Sequence, residues 1–533
     1  MGGKRSPRRG ALSGKPNPKA SAMGGLAIPA LRSLVAGLRS RLRARVSGMA
    51  RLPGVFLPGL LLPGVLLPGV LQPGVLLSGT ILPGAVLPSA AFLMSGWLSS
   101  GLWWIAIPLL ALLGTPLFAV LGLAALVAFG AEGISSVAVA AEMSRLTSSP
   151  VLIAIPLFTF AGYLFAESGT PQRLVRLTRA AFGWVPGGLA IVAMIACAVF
   201  TAFTGASGVT IVAMGGLLMP ALLKDRFSER FSLGLLTTGG SLGILFPPSL
   251  ALIIYSYVAS RSAGADLIDP LSGPTVDRLF LAGILPGILL IALLSILAVW
   301  QNRHGQQTTT PFRWRELAGA IREAAWEIPL PFVLLGGIYG GKLTVTEAAA
   351  MTAFYALLVE VVIYRDIPLR RLPRVTRESM TLVGGILVIL ASAMGLTNYL
   401  IDAEIPMIIL DEMEGLISSR IGFLLALNVF LLIVGCLMDI FSALIVVVPL
   451  IVPIAMEYGV DLTHLGIIFL TNLEIGYSTP PVGLNLFISS FRFRQPIVKV
   501  YAASVPFLLM LLVALMLVTY LPEISLFLVR LFS

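Results

Sequence analysis

Charge is what this 533-residue chain has least of: Asp, Glu, Lys and Arg make up 11% of it, against about 25% in a soluble globular protein. That excludes an ordinary cytosolic enzyme. The 57% hydrophobic content and mean hydropathy of +0.97 point to a bilayer instead. Cysteine and histidine are scarce too, at two each. Cys197 and Cys436 stand inside apolar runs, which leaves no disulfide framework or zinc site and reads as packed core thiols. With only His304 and His464, imidazole catalysis and a multi-histidine metal centre are not expected. No G-x-x-x-x-G-K-[ST] phosphate loop occurs, so uphill work would draw on an ion gradient rather than on ATP.

Acidic residues are absent from one whole region. Residues 1–95 hold twelve Lys and Arg and no Asp or Glu, leaving 24 basic and 25 acidic residues in the remainder. The net charge of +11 therefore belongs to the tail, and no nucleic-acid partner is implied. Residues 1–51 read as a basic disordered segment. Residues 52–95 read as irregular low-complexity sequence, with Pro at 53, 58, 63, 68, 73, 83 and 88. Proline every fifth residue breaks a helix, and such a backbone could not satisfy itself in lipid. The basic region is too long for a secretory signal peptide.

Beyond the tail come apolar runs long enough to cross a bilayer, about 20 residues each. Spans are expected near 102–129, 150–168, 231–258, 279–300, 326–341, 344–364, 379–401, 463–490 and 498–521. Two further stretches, 185–223 and 420–456, are about twice a span and are broken by Thr204-Gly205-Ala206-Ser207-Gly208 and Asp439-Ile440-Phe441-Ser442. A single offset of 233 relates Gly162 to Gly395, Pro220 to Pro453, Gly243 to Gly476, and Pro247-Pro248 to Pro480-Pro481. The body thus reads as two homologous halves, 96–300 and 326–533, joined by a cytoplasmic linker at 301–325.

Charge orients these halves. Arg173, Arg176, Arg179, Lys224, Arg226 and Arg230 flank the first double-length stretch. Asp402, Glu404, Asp411, Glu412, Glu414, Glu457 and Asp461 flank the second, with Arg420 the one exception. Like charge on both flanks implies a re-entrant hairpin, and opposite charge between halves implies entry from opposite sides. Under the positive-inside rule the N-terminus is expected in the cytoplasm and the C-terminus in the periplasm. The expected fold class is an all-α polytopic membrane protein with an inverted-topology repeat, two re-entrant helical hairpins and two Pro-Pro-broken spans.

The chemistry should lie at the breaks. Pro247 and Pro248 cannot donate to the carbonyls of Gly243 and Ile244, nor Pro480 and Pro481 to those of Gly476 and Tyr477. Unwound carbonyls at membrane depth suit a dehydrated sodium ion. The first-half ion set is Gly205, Ser207, Thr210, Ser241, Gly243, Ile244, Pro247 and Ser249. The second-half set is Asp439, Ser442, Glu474, Gly476, Tyr477, Thr479 and Pro480. Ser207, Ser249, Asn472 and Asn485 are candidates for the substrate pathway. Asp439 and Glu474 stand deepest in apolar sequence, as befits ion coupling; the plainer alternative is a carboxylate capping a half-helix. Thr344-Val-Thr-Glu347 reads as a capping box.

At these residues the chain resembles the large membrane subunit of tripartite ATP-independent periplasmic (TRAP) transporters, the DctM type. The segments that carry the resemblance are Thr204-GASGVTIVAMGGLLMP-Ala221, Leu236-TTGGSLGILFPPS-Leu250, Leu279-FLAGILPG-Ile288, Thr346-Glu347-Ala348 and Thr471-NLEIGYSTPPVGLNLF-Ile488. The resemblance implies an elevator-type transporter in the bacterial inner membrane, with sodium as coupling ion and no organic cofactor. It also implies a small four-helix membrane subunit and a periplasmic substrate-binding protein that delivers a small organic acid, a C4-dicarboxylate or sugar acid. Where the family's hairpin often reads G-S-S-x-A-T, this chain has Gly205-Ala206-Ser207-Gly208-Val209-Thr210, one hydroxyl fewer. The tail has no counterpart in the family, and a start at Met94 would leave 440 residues, a usual family length. A one-component sodium/anion symporter is the alternative, and an ion channel a more distant one. No nucleophile–base pair suggests an enzyme.

Overall fold

In the computed structural model the described residues run from 103 to 532, except for 132–134, 136, 138–139, 142–143, 145–148, 186, 264–272, 303–310, 415–416 and 418. The expectations for 1–51 and 52–95 lie outside them. Every regular element among the described residues is a helix. Eight of these helices are long and apolar enough to cross a membrane.

The first half begins with α1 (Trp103–Leu112), α2 (Leu117–Ala131), α3 (Pro150–Glu167) and the short amphipathic α4 (Thr170–Phe182). A hairpin follows, α5 (Gly188–Thr204) and α6 (Ser207–Lys224), then α7 (Glu229–Gly239), α8 (Leu250–Ser262) and α9 (Val276–Asn302). The expected single span at 102–129 is two helices, because Gly114 adopts φ 85° and Pro116 follows it. The run 231–258 is also two helices, α7 and α8, parted by the Pro-Pro break. The expected linker 301–325 contains a helix, α10 (Trp314–Glu323).

The second half comprises α11 (Pro329–Tyr339), α12 (Val345–Leu357, continued as one π-helical turn Leu358–Ile363), α13 (Leu372–Asp402) and α14 (Ile405–Glu414). The second hairpin is α15 (Arg420–Leu437) and α16 (Ile440–Glu457), followed by α17 (Leu462–Gly476), α18 (Leu484–Phe493), α19 (Ile497–Tyr520) and α20 (Pro522–Phe532). The span expected at 463–490 is thus α17 and α18. The acidic flank before the second hairpin contains α14. Thr344 and Glu347 form the expected capping box, each side chain bonded to the other's backbone N–H at 3.3 and 2.8 Å.

The repeat read in the sequence is a structural repeat. Moved by 233 positions, the bounds of α6 become those of α16, and α5, α7 and α8 fall on α15, α17 and α18. The Ser241 hydroxyl lies 3.5 Å from the Glu474 carbonyl. These residues are partners at the 233 offset, so the pseudo-twofold axis passes between them.

One buried ion cluster ties α4 to the second half. Arg173 pairs with Glu327, with Glu360 at 3.1 Å and with Asp366 at 2.7 Å. Thr170 donates toward both Glu327 and Glu360, 3.1 and 3.0 Å away. Glu360 is as buried as Glu474, whereas Asp439 is exposed.

Candidate functional site

A cavity of about 1010 Å³ opens where the hairpin tips meet the two breaks. Gly205, Ala206 and Ser207 of the first tip line it, as do Asp439 and Ile440 of the second, Ile244 of the first break and Tyr477 of the second. Arg377 and Glu378 of α13 and Glu167 of α3 complete its charged wall.

Close backbone packing positions each break. A β-carbon on Gly243 would stand 2.1 Å from the Ala198 carbonyl oxygen of α5. One on Gly476 would stand 2.6 Å from the Gly435 carbonyl carbon of α15. Gly243 also meets the Ala202 nitrogen, at 2.5 Å, and Ala202 is the counterpart of Gly435 at the 233 offset, so each break is seated at the same place on its hairpin and only glycine permits it. Both Pro-Pro bonds are cis.

The freed carbonyls are fewer than the prolines alone suggest. The Gly243 carbonyl accepts from Phe246 N–H at 3.1 Å, and that of Gly476 from Thr479 N–H at 3.0 Å. The Tyr477 carbonyl accepts from Asn485 N–H at 3.0 Å. Just before each proline pair the chain turns back in a tight i to i+3 bond, and beyond the second pair Asn485 returns to Tyr477, so three carbonyls recover the partner that the missing donor removed. Among the described residues the Ile244 carbonyl receives no backbone N–H, and it is the one of the four that remains free of such a bond.

The first tip is held by a residue that sequence reasoning missed. The Thr201 hydroxyl lies 2.7 Å from the Thr210 hydroxyl, 2.8 Å from the Cys197 carbonyl and 2.9 Å from the Gly240 carbonyl of the break. Thr210 is therefore engaged inside the hairpin and does not line the cavity. Gly205 takes φ 65° as it ends α5. Ala206, at the N-cap of α6, supplies no side-chain acceptor. The first N–H groups of α6 consequently face the cavity uncapped, a site where helix dipole and orphan donors both favour an anion.

The second tip is closed differently. One Asp439 carboxylate oxygen accepts from Phe441 and Ser442 N–H, both at 3.0 Å, while the other takes the Ser442 hydroxyl. The capping role is thus realised, and Asp439 still lines the cavity. Ile440 N–H donates to the Tyr477 hydroxyl, fastening tip to break.

Other expected residues lie away from the cavity. Ser241 and Glu474 sit on the pseudo-twofold axis, and neither Glu474 carboxyl oxygen has a hydrogen-bond partner among the described residues. Ser249 caps α8, accepting from Leu252 N–H at 3.4 Å, and Thr479 donates to the Ile475 carbonyl at 2.8 Å. Pro247 lines a separate apolar groove of about 480 Å³. Pro480 and Ser442 stand outside the cavity lining. Asn472 is buried and bonded to Asn428 at 2.7 Å. Asn485 is buried, with both side-chain amide atoms unpartnered among the described residues. Neither asparagine reaches the cavity. Nothing in the sequence marks Arg377, which stands in an ordinary polar helix start. Only the packing of α13 brings it to the site.

Residues 104–524 match the family described as "Tripartite ATP-independent periplasmic transporter, DctM component". The chain belongs to this family. It is 36% identical over 399 residues to the C4-dicarboxylate TRAP transporter large permease protein DctM of Pseudomonas aeruginosa, covering 75% of this chain and 90% of that one. Identity is 34% over 380 residues to the ectoine/5-hydroxyectoine TRAP transporter large permease protein UehC of Ruegeria pomeroyi, covering 71% and 85%. Among solved structures, the Alcanivorax borkumensis YdaH transporter superposes with a TM-score of 0.53 at 15% identity, covering 72% of this chain and 86% of that one. That last likeness concerns the fold alone. This TRAP large permease is a polytopic membrane protein.

Proposed function

We propose that this TRAP permease imports a small organic acid, a C4-dicarboxylate or sugar acid, driven by sodium and fed by a periplasmic binding protein. One observation carries the reading: the uncapped N-terminus of α6 and the Arg377 side chain share one open cavity with both hairpin tips. An anion's carboxylate would be held by the α6 N–H groups. Asp439, Ser207 and the Ile244 carbonyl supply oxygens for sodium beside it. Sodium offsets the negative charge of Asp439 and so admits the anion. The Pseudomonas aeruginosa relative, a C4-dicarboxylate TRAP transporter permease, supports the substrate class.

The two hairpins and their breaks move together as an elevator against the bundle of α2, α3, α12 and α13. The chain sits in the bacterial inner membrane with its N-terminus in the cytoplasm and its C-terminus in the periplasm, beside a small four-helix membrane subunit. Proteoliposomes containing both subunits test this reading. Uptake of labelled C4-dicarboxylate or sugar acid should require outside sodium and the binding protein. Sodium-dependent uptake without the binding protein would make the chain a one-component symporter, and sodium-independent uptake would overturn the coupling.

A further inference from the structure

Helix α10 follows the membrane-spanning α9 and precedes the short apolar α11, yet it is strongly two-faced. Its Ala320 is buried, and Glu323 pairs with Arg176 of α4. The opposite face carries Trp314, Ala318 and Ile321 at i, i+4 and i+7, all exposed, Trp314 by 74%. Such a stripe in water would be a liability, whereas at a bilayer surface it is an anchor. Trp184, at the end of α4, and Trp326, just after α10, are exposed as well. Exposed tryptophans are enriched at the membrane–water interface.

Arg315 and Arg322 flank this stripe. They are seven residues apart and so lie on one side of the helix, about 10 Å from each other. Both are exposed, and among the described residues neither has an ion-pair partner. Across a cavity of about 270 Å³ stand Arg176 and Arg179 of α4, with Glu316 on the α10 side. With Arg313, the ledge carries five arginines against two glutamates.

We propose that α4 and α10 form an interfacial ledge that binds an acidic phospholipid, its phosphate between Arg315 and Arg322 and its acyl chains against Trp314 and Ile321. The charge complementarity selects the headgroup, and the aromatic stripe places it at the right depth. Guanidinium groups suit phosphate because their fork-shaped donors match its oxygens. The proposal rests on membrane insertion alone and not on the transport reading.

The test reconstitutes the full chain in phosphatidylcholine nanodiscs carrying, at equal mole fraction, brominated phosphatidylglycerol or brominated phosphatidylcholine. The Trp314 contribution to fluorescence quenching is isolated by difference from Trp314→Phe. Phosphatidylglycerol should quench Trp314 more strongly than phosphatidylcholine. Its relative association should fall about fivefold for each of Arg315→Gln and Arg322→Gln, the factor matching about 1 kcal/mol per basic residue near an anionic surface. Raising the salt should also shrink the preference. Arg374→Gln, at an exposed arginine elsewhere, should leave it unchanged. Equal quenching by the two lipids, or a preference that survives the double Arg315→Gln, Arg322→Gln variant, would overturn the phosphate site. No quenching of Trp314 by either lipid would overturn the interfacial placement itself.

Discussion

The two hairpin tips descend from one repeat yet are closed by opposite means. At the first, a threonine of the hairpin, Thr201, reaches the break carbonyl at Gly240; its counterpart at the 233 offset is Val434. At the second, a tyrosine of the break, Tyr477, reaches back to Ile440 N–H of the hairpin; its counterpart is Ile244. The caps differ in the same way, uncapped Ala206 against self-capped Asp439. The fastening is therefore kept in both halves while the charge is not. One helix N-terminus is left open to an anion, and the other is neutralised by a carboxylate that is itself available to a cation.

The sharpest way to break this comparison is to make the first tip resemble the second. Ala206→Asp would cap α6 and add negative charge where an anion is proposed to sit. The helix should gain about 1 kcal/mol from the new cap, so the protein should melt no lower than before. Uptake should fall by roughly a hundredfold, since juxtaposed like charges cost several kcal/mol. A variant more stable and yet inactive separates function from folding, and undiminished uptake would remove the anion from this tip.

The reverse change tests the cation side. Asparagine caps a helix about as well as aspartate, so Asp439→Asn should alter thermal stability by only a few tenths of a kcal/mol. It should nonetheless raise the sodium concentration for half-maximal uptake by about tenfold, the loss of one charge-assisted contact of about 1.5 kcal/mol. Arg377→Gln should act on the other ligand, raising KM for the acid several-fold and leaving the sodium dependence in place. Its effect should be the smaller because Arg377 is water-exposed within the cavity, where solvent screens its charge. Sodium titrations at saturating acid, and acid titrations at saturating sodium, distinguish the two outcomes.

The architecture was legible because periodicity, prolines and charge all act locally. Pro247-Pro248 and Pro480-Pro481 can be seen to end helices without knowing what packs against them, and the matching flank charges mark both hairpins. What the sequence concealed was set by packing. Thr201 is an ordinary residue in an apolar run until its helix is laid against the break. Arg377 is a surface arginine until α13 brings it to the cavity wall. The i to i+3 bonds that reoccupy the Gly243 and Gly476 carbonyls depend on how the chain turns beside the prolines. Asn472 and Asn485 illustrate the converse, being polar, membrane-embedded and near the motif, yet directed away from the cavity. The amphipathic α10 falls within the stretch read as linker, its length being half that of a span.

The smallest expected effect asks whether the two fastenings are interchangeable. Thr201→Val places at the first hairpin the residue that the second already has at Val434. The change is nearly isosteric, so no cavity term arises. It deprives the buried Gly240 carbonyl of its nearest hydroxyl and leaves Thr210 with only the Ala206 carbonyl at 3.4 Å. One lost bond with a stranded buried acceptor costs about 1–3 kcal/mol, visible as a drop of about 1–3 °C in Tm for a chain this long. Uptake at saturating substrate should change by less than threefold, because Gly243 still seats the break on the α5 backbone. Should uptake fall as far as in Ala206→Asp, Thr201 is positioning the ion or anion site directly, and the asymmetry between the tips extends from their charge to their fastening.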